Sequence, residues 1–395
     1  MPERCFPRPR ALFADVRITV DCGTFAAALA GGVNVLLLAS GFHAQYRVLR
    51  CAAALGGRVV VLGSSNAAAL SMSRYCHRFE PFTPTEDQDP GEVAARIDAL
   101  ARLHGAVRIL PSDLPTTRLL ANLGSRLQTP AFPVPDPASL DRLATKDRFL
   151  ELCREFGVPH PDATVYASLG EVVHALDQGR VRFPAMLKPV DQSGGVGVVR
   201  VDAANARASV SRLRYAPIVV EDYVEGVDRS ITVLCRDGEV LREVTYSHPG
   251  GVFRFEGDQR LSRIVAKLVA GLCLTGVINF DARLDADGKV WIVECNPRFW
   301  FNMDVAMIAG LNFADLTAVA ASPALASVAD CEVRLPSAVP TALLHGRLPR
   351  TRDRRLLAHW LADPLVFALV MSRYGYGWRS PRLERWFARG KREAA

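Results

Sequence analysis

The chain has 395 residues, of which 49% are hydrophobic and 23% are charged, and its formal net charge is +7. This balance is typical of a soluble globular protein with roughly two or three domains, and it argues against a disordered or collagen-like chain. The nine cysteines are scattered singly and form no Cys-x-x-Cys pair. Such cysteine usage favours reduced thiols in the cytoplasm over a disulfide framework or a zinc site.

The first 32 residues are the least informative part of the chain, and we assign them to an N-terminal extension. Residues 24–41 are mostly apolar, but Gly31, Gly32 and Asn34 interrupt them, and the second half of this stretch is needed for a strand. We therefore reject a membrane span and a signal peptide, and we expect a short strand or helix that packs on the first domain.

Residues 33–130 alternate between strand-like and helical segments, which predicts a small domain with a parallel sheet. The predicted strands cover 34–41, 58–65 and 107–113, and the predicted helices cover 46–56, 91–105 and 114–123. A loop at 41–43 follows the first strand, where open α/β sheets bind ligands, but a purely structural loop is an equal alternative. The proline-rich segment 130–139 is predicted to be a linker.

The segment 276–302 carries the strongest chemical signal. Two apolar strands flank the turn residues 285–288, which predicts a hairpin. Side chains alternate faces along a strand, so Glu294 and Asn296 point the same way, and a hairpin register can bring Asp281 opposite them. Two carboxylates and an amide oxygen on one face are hard ligands of the kind that Mg²⁺ takes when it also holds nucleotide phosphates. A solvated acidic hairpin is the alternative.

Three further residues belong to this hairpin. Asn279 has the same strand parity as Asp281, and Arg298 follows as a cation suited to oxygens that gain negative charge. Cys295 has the opposite parity, so we expect it to be a core thiol rather than a ligand.

Residues 183–201 predict a strand, a glycine-rich loop and a second strand. The loop contains Ser193, Gly194, Gly195 and Gly197. Glycines let backbone N–H groups approach phosphate closely and let such a loop move as a lid. Because the loop leads into a strand and lacks the GK[ST] and GxGxxG patterns, it is neither a P-loop nor a dinucleotide site. A plain glycine-rich hairpin is the alternative, but it does not require Lys188 at the end of an apolar strand.

A third motif lies at residues 218–233. An apolar strand ends at Glu221, and a new strand is predicted to begin near Ser230. The backbone N–H and C=O groups at such a strand end can pair with adenine, and Asp228 can accept hydrogen bonds from ribose hydroxyls. An acidic loop that is merely solvated is the alternative.

In this order the motifs resemble the ATP-grasp superfamily, over residues 138–316. The resemblance implies an α/β and α+β architecture: a Rossmann-like preATP-grasp domain at 33–130, a two-lobed ATP-grasp domain at 131–330 and a helical C-terminal extension at 331–395. Within the superfamily, Asn279 and residues 294–302 are most similar to the short proteins related to the large subunit of carbamoyl phosphate synthase. Phe301 stands where that group often has a small residue, so the departure concerns the substrate pocket rather than ATP binding.

The resemblance also implies a role for each motif residue. The nucleotide would be contacted by Lys146, Lys188, Ser193, Gly194, Gly195, Gly197, Glu221, Asp222, Tyr223, Val224 and Asp228. The metal ligands would be Asp281, Glu294 and Asn296, and the catalytic residues would be Arg298, Asn279 and Lys188.

The resemblance further implies an ATP-dependent carboxylate–amine ligase that works through an acyl phosphate and uses ATP with Mg²⁺, Mn²⁺ being a second candidate. Its substrates would be a small carboxylate and an amine, with amino acids as the favoured class, and a homo-oligomer is compatible with this activity. A kinase-like phosphotransferase and a nucleotide-regulated binding module are the alternatives.

The C-terminal region 346–395 is strongly basic, with 11 Arg and one Lys against two Asp and two Glu. Aromatic residues such as Trp378 and Trp386 lie among the arginines. This composition suits either a helical cap with a solvated arginine face, which we favour, or peripheral contact with an anionic membrane. We expect no nucleic-acid partner because no groove-reading motif accompanies the arginines.

Overall fold

The computed structural model describes residues 32–85, 87–192, 194–315 and 325–374, so all but the last residue of the predicted N-terminal extension lies outside the described residues. The chain divides into two compact units. Unit 1 takes in the chain up to Phe132, the segment Ser247–Glu256 and the chain from Trp300 onward, and unit 2 consists of Pro133–Tyr246 and Gly257–Phe299.

The secondary structure mixes strands and helices throughout both units. The strands are β1 (Val33–Ala39), β2 (Gly56–Gly63), β3 (Arg78–Pro81), β4 (Arg108–Leu110), β5 (Ala163–Tyr166), β6 (Ala185–Pro189), β7 (Val199–Val201), β8 (Ile218–Asp222), β9 (Val227–Arg236), β10 (Glu239–Ser247), β11 (Val252–Phe255), β12 (Gly276–Leu284), β13 (Val290–Asn296), β14 (Ala326–Ser327) and β15 (Cys331–Arg334). The helices are α1 (His43–Ala53), α2 (Pro90–Leu103), α3 (Leu114–Leu123), α4 (Pro137–Ala144), α5 (Lys146–Phe156), α6 (Leu169–Asp177), α7 (Ala206–Val210), α8 (Gln259–Gly271), α9 (Met303–Ala309), α10 (Val339–Leu344), α11 (Thr351–Leu361) and α12 (Pro364–Tyr374).

Unit 1 contains a parallel four-stranded sheet in the order β3-β2-β1-β4. The apolar run of β1 is buried on both faces, as expected for a central parallel strand, and Leu36, Leu37 and Leu38 are almost completely inaccessible. Strand β3 is not among the strands predicted from the sequence. The second half of the apolar stretch 24–41 does form β1, and its first half falls mainly outside the described residues.

The C-terminal helices of unit 1 bury apolar side chains. Leu356 and Trp360 of α11 and Val366 and Val370 of α12 are at most 1% exposed. This burial favours a helical cap for the chain up to Tyr374.

The aromatic residues beyond that point, Trp378 and Trp386, lie outside the described residues. Within the described ranges, none of the helices combines the length and the apolar character that a bilayer crossing requires.

A buried ion cluster ties α11 to the rest of unit 1. The Arg47 guanidinium lies 2.6 Å from both carboxylate oxygens of Asp304, and Arg50 lies 3.3 Å from the same carboxylate. The Trp360 ring covers both cations, with its centroid 4.2 Å from Arg47 Cζ and 4.8 Å from Arg50 Cζ. All four side chains are buried, so the cluster depends on these mutual contacts instead of water.

Unit 2 contains two antiparallel sheets with separate apolar cores. One sheet has the order β5-β8-β6-β7 and packs against α6 and α7. The other contains β13, β12, β9 and β10 in that order, and α5 and α8 pack their apolar faces on it. These two sheets carry the three motifs found in the sequence.

Two short helices follow each other at the start of unit 2. Thr145 has extended backbone dihedrals and separates α4 from α5, so Lys146 becomes the first residue of its own helix. Gly157 follows the last residue of α5, and its φ of 60° is the left-handed conformation that favours glycine at a helix end. The predicted linker is also shorter than expected, because α4 already begins at Pro137.

Candidate active site

Strands β12 and β13 form the predicted hairpin. Asp281 lies directly opposite Glu294, and Asn279 lies opposite Asn296. An irregularity follows Asp281 in the pairing, and the turn between the strands contains Gly288 at a φ of 76°. The two carboxylates therefore share one face of the sheet, as the strand parity predicts.

Hydrogen bonds connect the polar groups around this carboxylate pair. Asn296 Nδ2 donates to Asp281 Oδ2 at 3.3 Å, and Arg298 Nη2 donates to Asn296 Oδ1 at 2.9 Å. Ser230 of β9 donates its hydroxyl to Asp281 Oδ1 at 2.7 Å. Asn279 is buried, and its amide donates to Thr232 Oγ1 at 3.0 Å. Arg298 is thus held beside the carboxylates through Asn296.

The two carboxylates repel each other across the sheet. The pKa of Asp281 is raised to about 6, chiefly by burial and next by the negative charge of Glu294, while the hydrogen bond from Ser230 and the charge of Arg298 act in the opposite direction. Two facing acids fit a hard divalent cation, which would relieve this repulsion. The Asn296 oxygen would join them by exchanging its hydrogen bond from Arg298 for the cation. Within the described ranges, no group of three or more His, Cys, Asp and Glu side chains has the arrangement of a metal site, so this site would depend on the Asn296 oxygen.

The side chain of Cys295 points away from the carboxylates, as the strand parity predicts. It is 6% exposed and belongs to the apolar core beneath the sheet. Burial raises the pKa of its thiol well above the ordinary value, which keeps the sulfur protonated and unreactive.

Lys188 lies near the end of β6, and its side chain is buried against the neighbouring strand β8. Its ammonium group donates to Glu221, which is 4% exposed. Burial raises the pKa of Glu221, and the positive charge of Lys188 partly offsets this effect. The predicted phosphate lysine and the predicted hinge acid therefore form a buried ion pair in this structure.

Lys146 is also buried, at 9% exposure, which the sequence alone did not reveal. Its ammonium group donates to the backbone oxygen of Gln192, in the glycine-rich loop, and lies 3.5 Å from Glu294 Oε1. Its own N–H donates to Val190 O at 3.1 Å. Lys146 therefore links the helix α5, the glycine-rich loop and the carboxylate pair.

The glycine-rich loop joins β6 to β7, which pair as antiparallel strands as expected. Gly194, Gly195 and Gly197 all have positive φ angles between 70° and 75°. A Cβ atom at Gly194 or Gly195 would meet nothing within 4 Å, so these two positions need glycine for backbone conformation rather than for space. Ser193, the other predicted loop residue, lies outside the described residues.

The predicted adenine hinge is partly engaged in backbone pairing. The N–H of Asp222 donates to Asp162 O at 2.9 Å, and the N–H of Tyr223 donates to Pro184 O at 3.0 Å. Adenine could therefore pair with these two N–H groups only by displacing those carbonyl oxygens.

The predicted ribose acid, Asp228, already has a protein partner. Asp228 is largely exposed on β9, which begins at Val227, earlier than predicted. Its carboxylate accepts a hydrogen bond from Arg283 Nη1 at 2.7 Å, and Arg283 also donates to Gly226 O and to the hydroxyl of Tyr223. A ribose bound to Asp228 would therefore share it with Arg283.

Two contributors to the site were missed by the sequence analysis. Ser230 is predicted only as a strand start, although its pairing with Asp281 follows once β9 is placed beside β12. The Lys146–Glu294 contact has no sequence signal, because the two residues are far apart in the chain and belong to different elements.

Comparisons with known proteins agree with this geometry. The model of a family described as "ATP-grasp in the biosynthetic pathway with Ter operon" matches residues 214–338. The arginine-specific large chain of carbamoyl phosphate synthase from Bacillus subtilis is 24% identical over 242 residues, which cover 56% of this chain and 22% of the relative. The chain thus spans only about a fifth of the length of this curated relative.

Solved structures share the fold. The L-amino acid ligase from Bacillus licheniformis matches with a TM-score of 0.52 and 20% identity, covering 72% of each chain. The biotin carboxylase domain of 2-oxoglutarate carboxylase from Hydrogenobacter thermophilus, a dimer in complex with MgADP, ADP and bicarbonate, matches with a TM-score of 0.55 and 19% identity. That match covers 75% of this chain and 72% of the other.

An ATP-grasp family model thus matches residues 214–338, and solved ATP-grasp structures share the fold. Together with the carbamoyl phosphate synthase relatives, these matches support an ATP-grasp superfamily protein and confirm the resemblance found in the sequence. The chain's similarity to carbamoyl phosphate synthase large chains also agrees with the narrower resemblance found there.

Proposed function

We propose that the protein is an ATP-dependent carboxylate–amine ligase that forms an amide or peptide bond through an acyl phosphate. The observation that carries the proposal is the pair Asp281 and Glu294, facing each other with Asn296, Arg298 and Lys146 in contact around them. The similarity of the chain's fold to that of an L-amino acid ligase supports amino acids as the substrate class.

In the proposed reaction, a substrate carboxylate oxygen attacks the γ-phosphorus of ATP, and the bond to the β,γ-bridging oxygen breaks to release ADP. An amine then attacks the acyl carbon, the bond to the phosphate oxygen breaks, and the amine nitrogen loses its proton to solvent. No side-chain nucleophile is needed, because such phosphoryl transfer depends mainly on positioning and electrostatic stabilisation.

The residues of the chain have separate tasks in this proposal. Asp281, Glu294 and Asn296 would hold Mg²⁺ or Mn²⁺, and the bound cation would neutralise phosphate oxygens. Arg298 would stabilise negative charge on the transferred phosphoryl group, and Lys188 and Lys146 would hold the phosphates of ATP.

The glycine-rich loop and the hinge complete the proposed nucleotide site. Gly194, Gly195 and Gly197, with Ser193, would cover the phosphates with backbone N–H groups. Val224 would pair with adenine, next to Glu221, Asp222 and Tyr223, and Asp228 would bind ribose. Asn279 is buried behind Asp281 and would position the metal-binding face of β12.

We also propose the wider organisation of the chain on the basis of the resemblance. Residues 33–130 would be a Rossmann-like preATP-grasp domain, 131–330 the ATP-grasp domain and 331–395 a helical extension. The matching biotin carboxylase domain is a dimer, and we therefore propose a homo-oligomer for this protein as well.

The experiment that tests the function is ADP release with purified protein, MgATP and pools of amino acids, followed by mass spectrometry of the products. We expect ADP release to require both a carboxylate and an amine, and the product to lack phosphate. A phosphorylated product formed without an amine would replace the ligase with a phosphotransferase. Nucleotide binding without ADP release under any combination would leave a nucleotide-regulated binding module.

A further inference from the structure

A row of polar side chains crosses the sheet that contains β12 and β13. Tyr246 of β10 lies opposite Ser230 of β9, and Ser230 lies opposite Asp281 of β12. Asp281 in turn lies opposite Glu294 of β13. Side chains directly opposite each other on neighbouring strands share a face of the sheet. The row therefore leads from the carboxylate pair to a tyrosine that belongs to none of the sequence motifs.

The hydroxyl group of Tyr246 is buried at the end of this row. The residue is 4% exposed, and its hydroxyl is hydrogen-bonded to the side chains of Ser230 and Asn279, which are 5% and 3% exposed. Burial raises the pKa of Tyr246, and the negative charge of Asp281 acts in the same direction, so the hydroxyl keeps its proton. A buried hydroxyl of this kind depends on protein partners because water does not replace them.

The direction of each hydrogen bond follows from the number of hydrogens available. Ser230 has a single hydroxyl hydrogen, which it donates to Asp281 Oδ1 at 2.7 Å. The Tyr246 hydroxyl therefore donates its own hydrogen to Ser230 Oγ, and its oxygen accepts one from the Asn279 amide. The bonds form one directed chain that begins at Asn279, passes through the two hydroxyl groups and ends at the Asp281 carboxylate.

This chain holds the Asp281 carboxylate in one orientation. A serine hydroxyl can rotate, but the hydrogen bond from Tyr246 occupies the oxygen of Ser230 and directs its hydrogen to Asp281. Each carboxylate oxygen has two acceptor positions, so Asp281 Oδ1 keeps one for a cation. Residues behind metal ligands commonly orient them in this way, and their mutation typically weakens metal binding about 10- to 100-fold.

We propose that Tyr246 is a positioning residue for the divalent cation and acts through Ser230 on the Asp281 carboxylate. It rests on the proposed function, because Asp281 and Glu294 are taken there as cation ligands. It adds a determinant of cation affinity on a strand that supplies no ligand, at a distance of two hydrogen bonds from the carboxylate.

The test is Mn²⁺ binding to the full chain without nucleotide, measured from the electron paramagnetic resonance signal of the free ion. We expect Tyr246→Phe, which removes only the hydroxyl, to raise the dissociation constant about tenfold. Tyr46→Phe is the matched control, because Tyr46 is 1% exposed and its hydroxyl donates to the carboxylate of Asp363 at 3.1 Å in unit 1. The control should bind Mn²⁺ like the parent protein.

A double-mutant cycle separates positioning from a general loss of packing. Ser230→Ala should weaken Mn²⁺ binding at least as much as Tyr246→Phe does, because it removes the hydrogen bond to Asp281 itself. In the Ser230→Ala background, Tyr246→Phe should have little further effect, since the tyrosine hydroxyl then has no serine to direct. Losses that simply add would overturn the action of Tyr246 through Ser230.

The remaining outcomes separate this inference from the proposed function. If Tyr246→Phe bound Mn²⁺ with the parent affinity while Glu294→Gln lost binding, the positioning role would be refuted and the metal site would stand. If the parent protein bound no Mn²⁺ at millimolar concentration, the cation site on which the proposed function depends would be refuted together with the role of Tyr246.

Discussion

The change Glu294→Gln tests the carboxylate pair with the least disturbance of shape. Glutamine keeps the size of the side chain and the position on β13, but the charge facing Asp281 disappears. Because the carboxylate is proposed to hold a cation at the point where phosphate charge develops, we expect turnover to fall roughly 100- to 1,000-fold. In free energy this corresponds to about 2.7–4 kcal/mol of lost transition-state stabilisation.

The same substitution has a second expected effect that does not require a substrate. The charge of Glu294 is the second contribution, after burial, that raises the pKa of Asp281 to about 6. Its removal should therefore lower the pKa of Asp281, which a carboxyl ¹³C titration by NMR would detect. We expect little net change in the stability of the folded state, since the repulsive contact with Asp281 and the attractive contact with Lys146 are lost together and the register of β12 and β13 is kept.

The assay is ADP release at saturating Mg²⁺ with the substrates found by product analysis. Glu243→Gln is the matched control, because Glu243 is a half-buried glutamate on the same sheet whose carboxylate accepts a hydrogen bond from Ser262 at 2.6 Å. It should keep the parent rate. We expect Asp281→Asn to act in the same direction as Glu294→Gln but less severely. If Glu294→Gln released ADP at the parent rate, Glu294 would not be a metal ligand.

Three further predictions follow from buried groups. Lys188→Ala should weaken nucleotide binding measured by calorimetry, and Lys146→Ala should weaken it to a similar degree, because both ammonium groups are buried and cannot be replaced by water. Trp360→Ala should lower the free energy of unfolding measured in urea by about 3–5 kcal/mol. Leu361→Ala, at a position that is 52% exposed, should have little effect on it. Burial opposes the ionisation of Asp304, but Arg47 and Arg50 hold its pKa below the ordinary value. The stability that the ionised carboxylate contributes to the folded state should therefore be present above pH ~4 and decline below it.

Each of these three predictions has an outcome that would contradict it. Undiminished nucleotide affinity in Lys188→Ala would remove the glycine-rich motif from the site, with the exposed Lys267→Ala as control. A Trp360→Ala protein as stable as the parent would contradict the helical cap. An Asp304→Asn protein with the parent's acid dependence would show that the Arg47–Asp304 cluster does not account for it.

Local sequence patterns were sufficient for the hairpin of the site. Strand parity predicted that Glu294 and Asn296 share a face and that Cys295 turns to the core, because alternation depends only on neighbouring residues. The turn residues around Gly288 then predicted a hairpin that places Asp281 near Glu294, but they did not predict the irregularity that follows Asp281. For the same reason, the strand before the glycine-rich loop ends close to Lys188, as predicted.

Long-range contacts could not be derived in this way. The break at Thr145 and the burial of Lys146 depend on packing against the glycine-rich loop and β13, and no periodicity within α5 encodes them. The Lys188–Glu221 pair likewise arises from the alignment of β6 with β8. The contact of Arg283 with Asp228 likewise follows from the pairing of β12 with β9.

The site is built from cations that already have acceptors in the protein. Lys188 binds Glu221, Lys146 binds Gln192 O and lies near Glu294, and Arg298 binds Asn296. A nucleotide would therefore exchange these contacts for phosphate oxygens instead of filling an open set of charges. The exchange is favourable only if the carboxylates left behind gain a partner, because an unpaired buried carboxylate is costly. A divalent cation on Asp281 and Glu294 would supply that partner for Glu294, so nucleotide and metal binding should be mutually dependent at this site.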